Sequence, residues 1–417
     1  MGTKPGEVVD SHGRPDALRP GVGAAAVVAV LLSALGISTS FGMLLLLPLY
    51  VQDLGGSEAS FGLVLSAAVI PAVLSLIVLS SHPEALRPQW VLVLAITVFG
   101  AGAAATSTVT GGWEPLAVVG LLLGTAWAVV YSVMPMVMNE MVTDSGRVTY
   151  FGYLTGTQQL GIGAGPVLAG WMSHTSLGFR GTFIVAGLVC AAAAVSTVVA
   201  AALTPDRRRA TSPDQGGERQ LSLLRTSATL VRSPVGPWLL VIALFACLFT
   251  TMTQFQTTFA NTQGLDYSLF YVAYTIAVIA VRFLVAPWVR RFDQVRVIAI
   301  SITVMLIAVA SFLVVGSNPL AYATACAAMG LGYGLALPAT QAHVVAVSTD
   351  SVAPRMLPIA GLVFQTAILA FPLAVGWIIV QFGYWLLFTV LIAFAIVQAL
   401  ISWRQVISQG RHLAQGA

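Results

Sequence analysis

Long apolar runs separated by short polar breaks extend through the whole chain. In order, they predict helices over 22–51, 59–80, 90–110, 115–138, 149–172, 181–203, 235–260, 268–289, 296–316, 319–342, 356–380 and 384–403. A membrane-crossing helix needs about 20 such residues at roughly 1.5 Å of rise each. The continuous runs do not show the two-residue alternation of a barrel strand. Most breaks carry Gly, Pro, Ser or Asn, as in GGWEP at 111–115 and GSNP at 316–319, the residues that connections favour. One break is longer: residues 204–234 are basic and contain Pro and Gly. The pattern predicts an all-α polytopic membrane protein with twelve transmembrane helices in two six-helix halves, 22–203 and 235–403. A tail over 1–21, the 204–234 linker and a tail over 404–417 complete the expected organisation.

Composition narrows the class. Of 417 residues, 58% are hydrophobic and only 8% are charged, against about a quarter charged in soluble domains. Mean hydropathy is +0.90. Such a chain cannot cover a water-facing surface, which excludes a soluble enzyme, a nucleic-acid binder and a disordered polymer. Cys190, Cys247 and Cys326 lie far apart inside apolar runs, so they suggest neither disulfides nor a metal site. The polar first 20 residues lead into a long span rather than a short apolar stretch with a cleavage site, so no signal peptide is expected. The lipid bilayer is the expected surrounding, and a single copy of the chain the expected unit.

The positions of the charges say more than their sum of +4. An even number of spans puts both termini on one side. That side collects all but two of the 19 Lys and Arg residues; Arg180 falls on the other side and Arg282 inside a span. By the positive-inside rule both termini and the 204–234 linker are cytoplasmic. The 18 arginines against one lysine are compatible with a GC-rich bacterial genome, and thus with a bacterial inner (plasma) membrane.

The chain also repeats itself. A shift of 209 aligns Gly55 with Gly264, Phe61 with Phe270, Glu84 with Asp293 and Arg87 with Arg296. A shift of 208 aligns Gly124 with Gly332 and Arg147 with Arg355. Half-length duplication about a central linker is an architecture of transporters whose substrate site lies between the halves.

Specific stretches resemble the major facilitator superfamily. LPLYVQDLG at 47–55 looks like the end of the first helix in many of its exporters. In the fifth span Gly152, Gly161, Gly165, Pro166, Ala169 and Gly170 follow the spacing of the antiporter motif of drug/proton exporters, with Ala169 in place of a glycine. Such glycines let a neighbouring helix come close, and Pro166 removes a backbone bond and bends the helix. Glu140 to Arg147 resembles the family's Glu-x6-Arg element. RFLVAPWVRRFDQVR at 282–296 resembles its cytoplasmic loop, with Ala286 for Gly, Arg290 for Asp and Asp293 for Gly. The first-half copy at 77–87 has Ser81 and His82 where the family has Asp and Arg. The resemblance implies a major facilitator fold over about 20–405, without a cofactor.

Polar residues within the spans supply the candidate site. Spans 3, 6, 9 and 12 are almost purely apolar, and the resemblance turns them toward lipid. The others carry Trp127 and Tyr131, Gln158 and Gln159, Gln254, Thr258 and Asn261, Tyr271 and Tyr274, Tyr333, and Gln365. These are the expected substrate-binding residues; plain packing is the alternative for each stripe. An aromatic, amide-lined cavity without acid suits an amphiphilic, largely neutral solute. No Asp or Glu lies deep in a span, so Arg282 is the one mid-span charge. It reads as a lock on the cytoplasmic gate, as a contact for an anion or a proton-linked substrate, or as a snorkelling side chain. Coupling and gating candidates are Asp53, Glu140, Arg147, Arg282, Arg290, Arg291, Asp293 and His343, with protons as candidate counter-substrate. Asp53 leads, on the expectation that partial burial raises its pKa.

The reading is a transporter that exports a small amphiphilic organic compound, such as a drug, natural product or sugar-like metabolite, by alternating access. An importer or uniporter of sugars or metabolites is the rival within transport. A transport-inactive scaffold or sensor is the rival outside it. A membrane enzyme would need a buried catalytic Asp, Glu or His cluster, and the sequence has none.

Overall fold

The computed structural model describes residues 17–81, 87–143, 145–205, 233, 235–285, 292–348 and 353–415. Within these it is helical, apart from turns and one isolated bridge between Leu18 and Val142. Arg290, Arg291 and most of the 204–234 linker lie outside the described residues.

In hydrocarbon every backbone group must be satisfied internally, so apolar runs of this length fold as helices. The first half consists of α1 (Ala24–Asp53), α2 (Glu58–Leu79), α3 (Pro88–Thr106), α4 (Leu116–Met141), α5 (Arg147–Ser173) and α6 (Gly178–Ala202). The second consists of α7 (Gly236–Gln254, then Gln256–Thr262), α8 (Ser268–Leu284), α9 (Gln294–Ser311) and α10 (Pro319–Ala346). A last helical stretch, Ala353–Gln415, divides at Gly383 (φ 76°, ψ −179°) into α11, 353–382, and α12, 384–415. The expected spans are all present, with local differences. α7 breaks at Phe255, where the sequence pattern predicts a continuous helix. α12 runs on to Gln415 instead of ending at 403.

The two ends of the bundle are turned differently. Opposite the 204–234 linker, each of the six connections holds one left-handed glycine: Gly55, Gly112, Gly178, Gly264, Gly316 and Gly383. A positive φ costs glycine little, so the chain reverses there within a few residues. This far end also uses side-chain caps. Ser57 accepts from the Ser60 backbone ahead of α2, and Asn318 accepts from Leu320 and Ala321 ahead of α10, satisfying N–H groups a helix start would orphan. At the linker end the segment before α1 is pinned beneath the α4–α5 connection: Arg19 N–H donates to the Met141 carbonyl and Arg19 Nε to that of Val142.

Each half packs by matching rules. α1 lies on α5 and α6, and α3 on α4 and α6; in the second half α8 and α9 lie on α10, and α7 on the final helical stretch. Single polar pairs join helices inside each half. Ser33 Oγ meets Thr197 Oγ1 at 2.6 Å, and Gln398 Nε2 donates to the Val241 carbonyl at 2.9 Å. Such bonds are helix glue where water is scarce. Large exposed apolar side chains such as Ile70, Trp171, Leu188, Val314, Trp377 and Trp385 form the surface expected to face lipid.

Candidate functional site

Two helix pairs carry most of the contact between the halves: α2 with α11, and α5 with α8. The α2–α11 contact sits toward the far end and is built from backbone. A Cβ added at Gly62 would strike the Pro372 carbonyl, and one at Gly376 the Glu58 carbonyl. Ser66 Oγ donates to the Leu369 carbonyl at 2.8 Å. Nearby, Phe61 of α2 meets Phe255 edge-on at 5.2 Å, at the break in α7. Thr257 Oγ1 of α7 donates to the Leu45 carbonyl of α1 at 3.4 Å. Those contacts bring the far ends of the two halves together.

The α5–α8 pair is built from side chains. Gly156 faces the Phe283 ring (3.3 Å to an added Cβ), Gly163 faces Thr275, and Gly170 faces the Tyr267 hydroxyl (2.5 Å). Seven-residue steps on α5 match eight-residue steps on α8 in the opposite direction, so the helices run antiparallel along one seam. Gln159 lies on α5 between two of these positions, three residues past Gly156 and four before Gly163. Its side chain is 7% exposed, and its Nε2 has no hydrogen-bond partner.

One residue before Phe283 on α8 stands Arg282. It belongs to a π-helical turn, Val281–Val285. Such turns insert a residue and redirect the side chains around it. Arg282 Nε donates to the Gly334 carbonyl of α10 at 3.4 Å. Its charge reaches the phenols of Tyr131, Tyr274 and Tyr333. These rings belong to a string crossing from one half to the other. Tyr131 of α4 stacks on Phe364 of α11 at 6.3 Å, Phe364 on Phe249 at 6.3 Å, and Phe249 on Tyr333 at 4.7 Å; Tyr333 lies 5.7 Å from Tyr274. Beside Phe364, Gln365 is 3% exposed with Nε2 unpartnered, and the Tyr274 hydroxyl is unpartnered too.

The sequence candidates thus divide. Tyr131, Gln159, Tyr274, Arg282, Tyr333 and Gln365 converge between the halves, with Gln158 beside them on α5 and half-buried. Others serve packing instead. Trp127 stacks on Phe41 at 3.9 Å inside the first half. Tyr271 donates to the Thr253 carbonyl at 2.8 Å inside the second. The expected single face of Gln254, Thr258 and Asn261 is interrupted by the break at Phe255, with Gln254 and Thr258 buried on either side of it. Thr258 accepts from the Tyr384 hydroxyl at 2.6 Å, while Asn261 is exposed. His343 packs edge-on against Trp238 at 4.4 Å, with Nε2 unpartnered.

Of the antiporter-motif residues, Gly161 and Gly165 meet α1: a Cβ at Gly161 would lie 2.8 Å from the Leu35 carbonyl, and one at Gly165 2.5 Å from the Gly42 Cα. Pro166 follows within α5, and Gly170 turns to α8. Gly152 faces open space, so its expected packing role does not hold.

Among the coupling candidates, Asp53 is exposed at the end of α1, contrary to the partial burial expected of it. The nearby half-buried carboxylate is Glu58, which accepts from Gln52 Nε2 at 2.9 Å and lies where α2 meets α11. Sequence reasoning passed over it because it sits at a helix start rather than in a span. Glu140 accepts from Gln89 Nε2 at 2.6 Å; Arg147 opens α5; exposed Asp293 caps α9 by accepting from Arg296 N. Groups of three or more His, Cys, Asp or Glu side chains placed to hold a metal are absent among the described residues.

Paired six-helix halves with a polar seam between them define a multi-pass membrane transporter. The chain belongs to the Major Facilitator Superfamily, whose family model matches residues 26–281 and 263–412. Its fold is similar to that of the human organic anion transporter MFSD10 (TETRAN), at TM-score 0.68 and 16% identity over 92% of this chain and 100% of that one. The nucleoside transporter NupG is similar at TM-score 0.68 and 15% identity, over 91% of this chain and 98% of its own. At such identities the likeness is one of fold. No curated protein sequence matches the chain.

Proposed function

We propose that this transporter exports a small amphiphilic organic compound by alternating access, from a bacterial plasma membrane in which both termini and the 204–234 linker are cytoplasmic. One observation carries the reading. Glycines of α5 face two ways: the motif's Gly161 and Gly165 onto the backbone of α1, and its Gly170, with Gly163 outside the motif, onto α8. This helix therefore links the interior of one half to the seam with the other, and a rocking motion of the halves loads it directly. The far-end contacts of α2 with α11 and of α1 with α7 correspond to a state closed on the outside. Protons are the proposed counter-substrate, with Glu58 rather than Asp53 the better-placed carboxylate.

Flux into everted vesicles across a panel of amphiphilic compounds tests the reading. Gly165→Leu should insert normally yet lose at least about tenfold in flux, since overpacking a tight contact costs about 1–3 kcal/mol. Native flux in a normally inserted Gly165→Leu protein sinks the role given to α5. Orientation is tested by cysteines placed at Arg180 and Gln215 and an impermeant maleimide. Only the first should label in intact cells.

A further inference from the structure

We propose that the α5–α8 seam is an anion subsite, in which Arg282 takes the carboxylate, or another single negative group, of an organic substrate. The substrate's apolar body lies along Tyr131, Phe364 and Tyr333, and the amides of Gln159 and Gln365 donate to its oxygens. The proposal deepens the transport reading and rests on it.

Three observations converge. First, all 15 acidic residues of the chain lie at span ends, in connections or in tails, and among the described residues Arg282 makes one hydrogen bond, from Nε to a carbonyl at 3.4 Å. Both terminal guanidinium nitrogens are left to bind in the fork geometry that suits a carboxylate. An intramembrane charge without a counter-charge is costly, and an anionic ligand supplies the missing partner. Second, the helices around it carry buried polar atoms that lack partners among the described residues: Gln159 Nε2, Gln365 Nε2 and the hydroxyls of Tyr274 and Thr275. Buried polar groups are normally satisfied, and each of these can donate, so with the Arg282 cation they suit acceptor-rich chemistry. Third, the π-helical turn at Val281–Val285 places Arg282 among the tyrosines, while its neighbours Phe283 and Leu284 are exposed. The inward aim favours a solute between the halves over the headgroup of a lipid.

The test uses the full-length protein purified in dodecyl maltoside, with 2-naphthoate, 2-naphthamide and 2-naphthyltrimethylammonium as probes of one shape and three charges. Binding is read by tryptophan quenching and thermal shift. Naphthoate should bind at least about tenfold more tightly than the amide, and the cation least. Arg282→Gln should erase the difference between acid and amide, and Arg282→Lys should keep part of it. Gln159→Leu and Gln365→Leu should each weaken naphthoate severalfold, which keeps the test alive if Arg282→Gln does not fold. The proposal is overturned if native protein does not bind naphthoate, if amide or cation binds as tightly, or if Arg282→Gln retains the preference. It is equally overturned if added phosphatidylglycerol abolishes naphthoate binding, since the site then belongs to a lipid headgroup. Vesicle flux separates the two readings. Arg282-dependent binding without flux leaves the anion subsite and removes export, whereas flux of neutral compounds indifferent to Arg282 does the reverse.

Discussion

The two seams between the halves, α2 with α11 and α5 with α8, occupy comparable places and are made of different material. In the first, glycines let backbone meet backbone: Gly62 against the Pro372 carbonyl and Gly376 against that of Glu58. In the second, glycines receive side chains, Thr275 at Gly163 and Tyr267 at Gly170; toward the Gly156–Phe283 end of the same seam lie Gln159, with Nε2 unpartnered, and Arg282. α5 and α8 also stand outside the nine stretches that are long and apolar enough, among the described residues, to cross a membrane. One seam is therefore suited to closure and the other to recognition. A dry contact of backbones closes tightly and carries no chemical preference. A contact of amides, phenols and a guanidinium packs less well and can discriminate.

If that division holds, the largest effect should come from crowding the closing seam. Gly376→Leu should cut flux at least about tenfold and hold the far end apart, because a carbonyl cannot be trimmed to make room. Labelling of a cysteine placed at Asn261, exposed at the far end of α7, should then rise; unchanged labelling and flux break the comparison. A smaller effect is expected where the crowding atom is a side-chain hydroxyl. Gly170→Ala should slow flux a few-fold, and Tyr267→Phe should restore most of it, because the obstructing atom is the Tyr267 oxygen and the ring carbons lie at 3.3 Å or more. No rescue would mean that this seam, too, is limited by backbone. The smallest pair concerns the far-end carboxylates. Glu58→Gln should slow flux driven by a pH gradient severalfold while leaving downhill exchange, whereas Asp53→Asn should stay within about twofold. The reverse order would return the coupling role to Asp53.

Much of this was legible before any coordinates. The twelve spans and the duplication follow from apolar runs, because hydrocarbon tolerates only backbone that bonds to itself. Gly161, Gly165 and Gly170 were legible as close-packing positions from their spacing, which resembles the family's motif. What escaped was local and depended on neighbours. Spacing puts Asn261 on one face with Gln254 and Thr258, yet it is exposed where those two are buried. Gly152 belongs to the motif by spacing, yet faces open space. Trp127 and Tyr131 are one turn apart on α4, but one fills the first half and the other reaches α11.

The sequence by itself determined the medium, the number of crossings and the two-fold repetition. Each is a sum over many residues of a transfer free energy whose sign does not depend on the partners a residue meets. Tertiary structure alone decided which polar side chains face one another. In a membrane, apolar residues are content against lipid or protein, so the pairing of helices rests on small residues and a few hydrogen bonds. Whether Gln159 meets a carbonyl or stands unpaired on α5 is then settled by one turn of helix and the packing of a distant neighbour, and no local pattern records either.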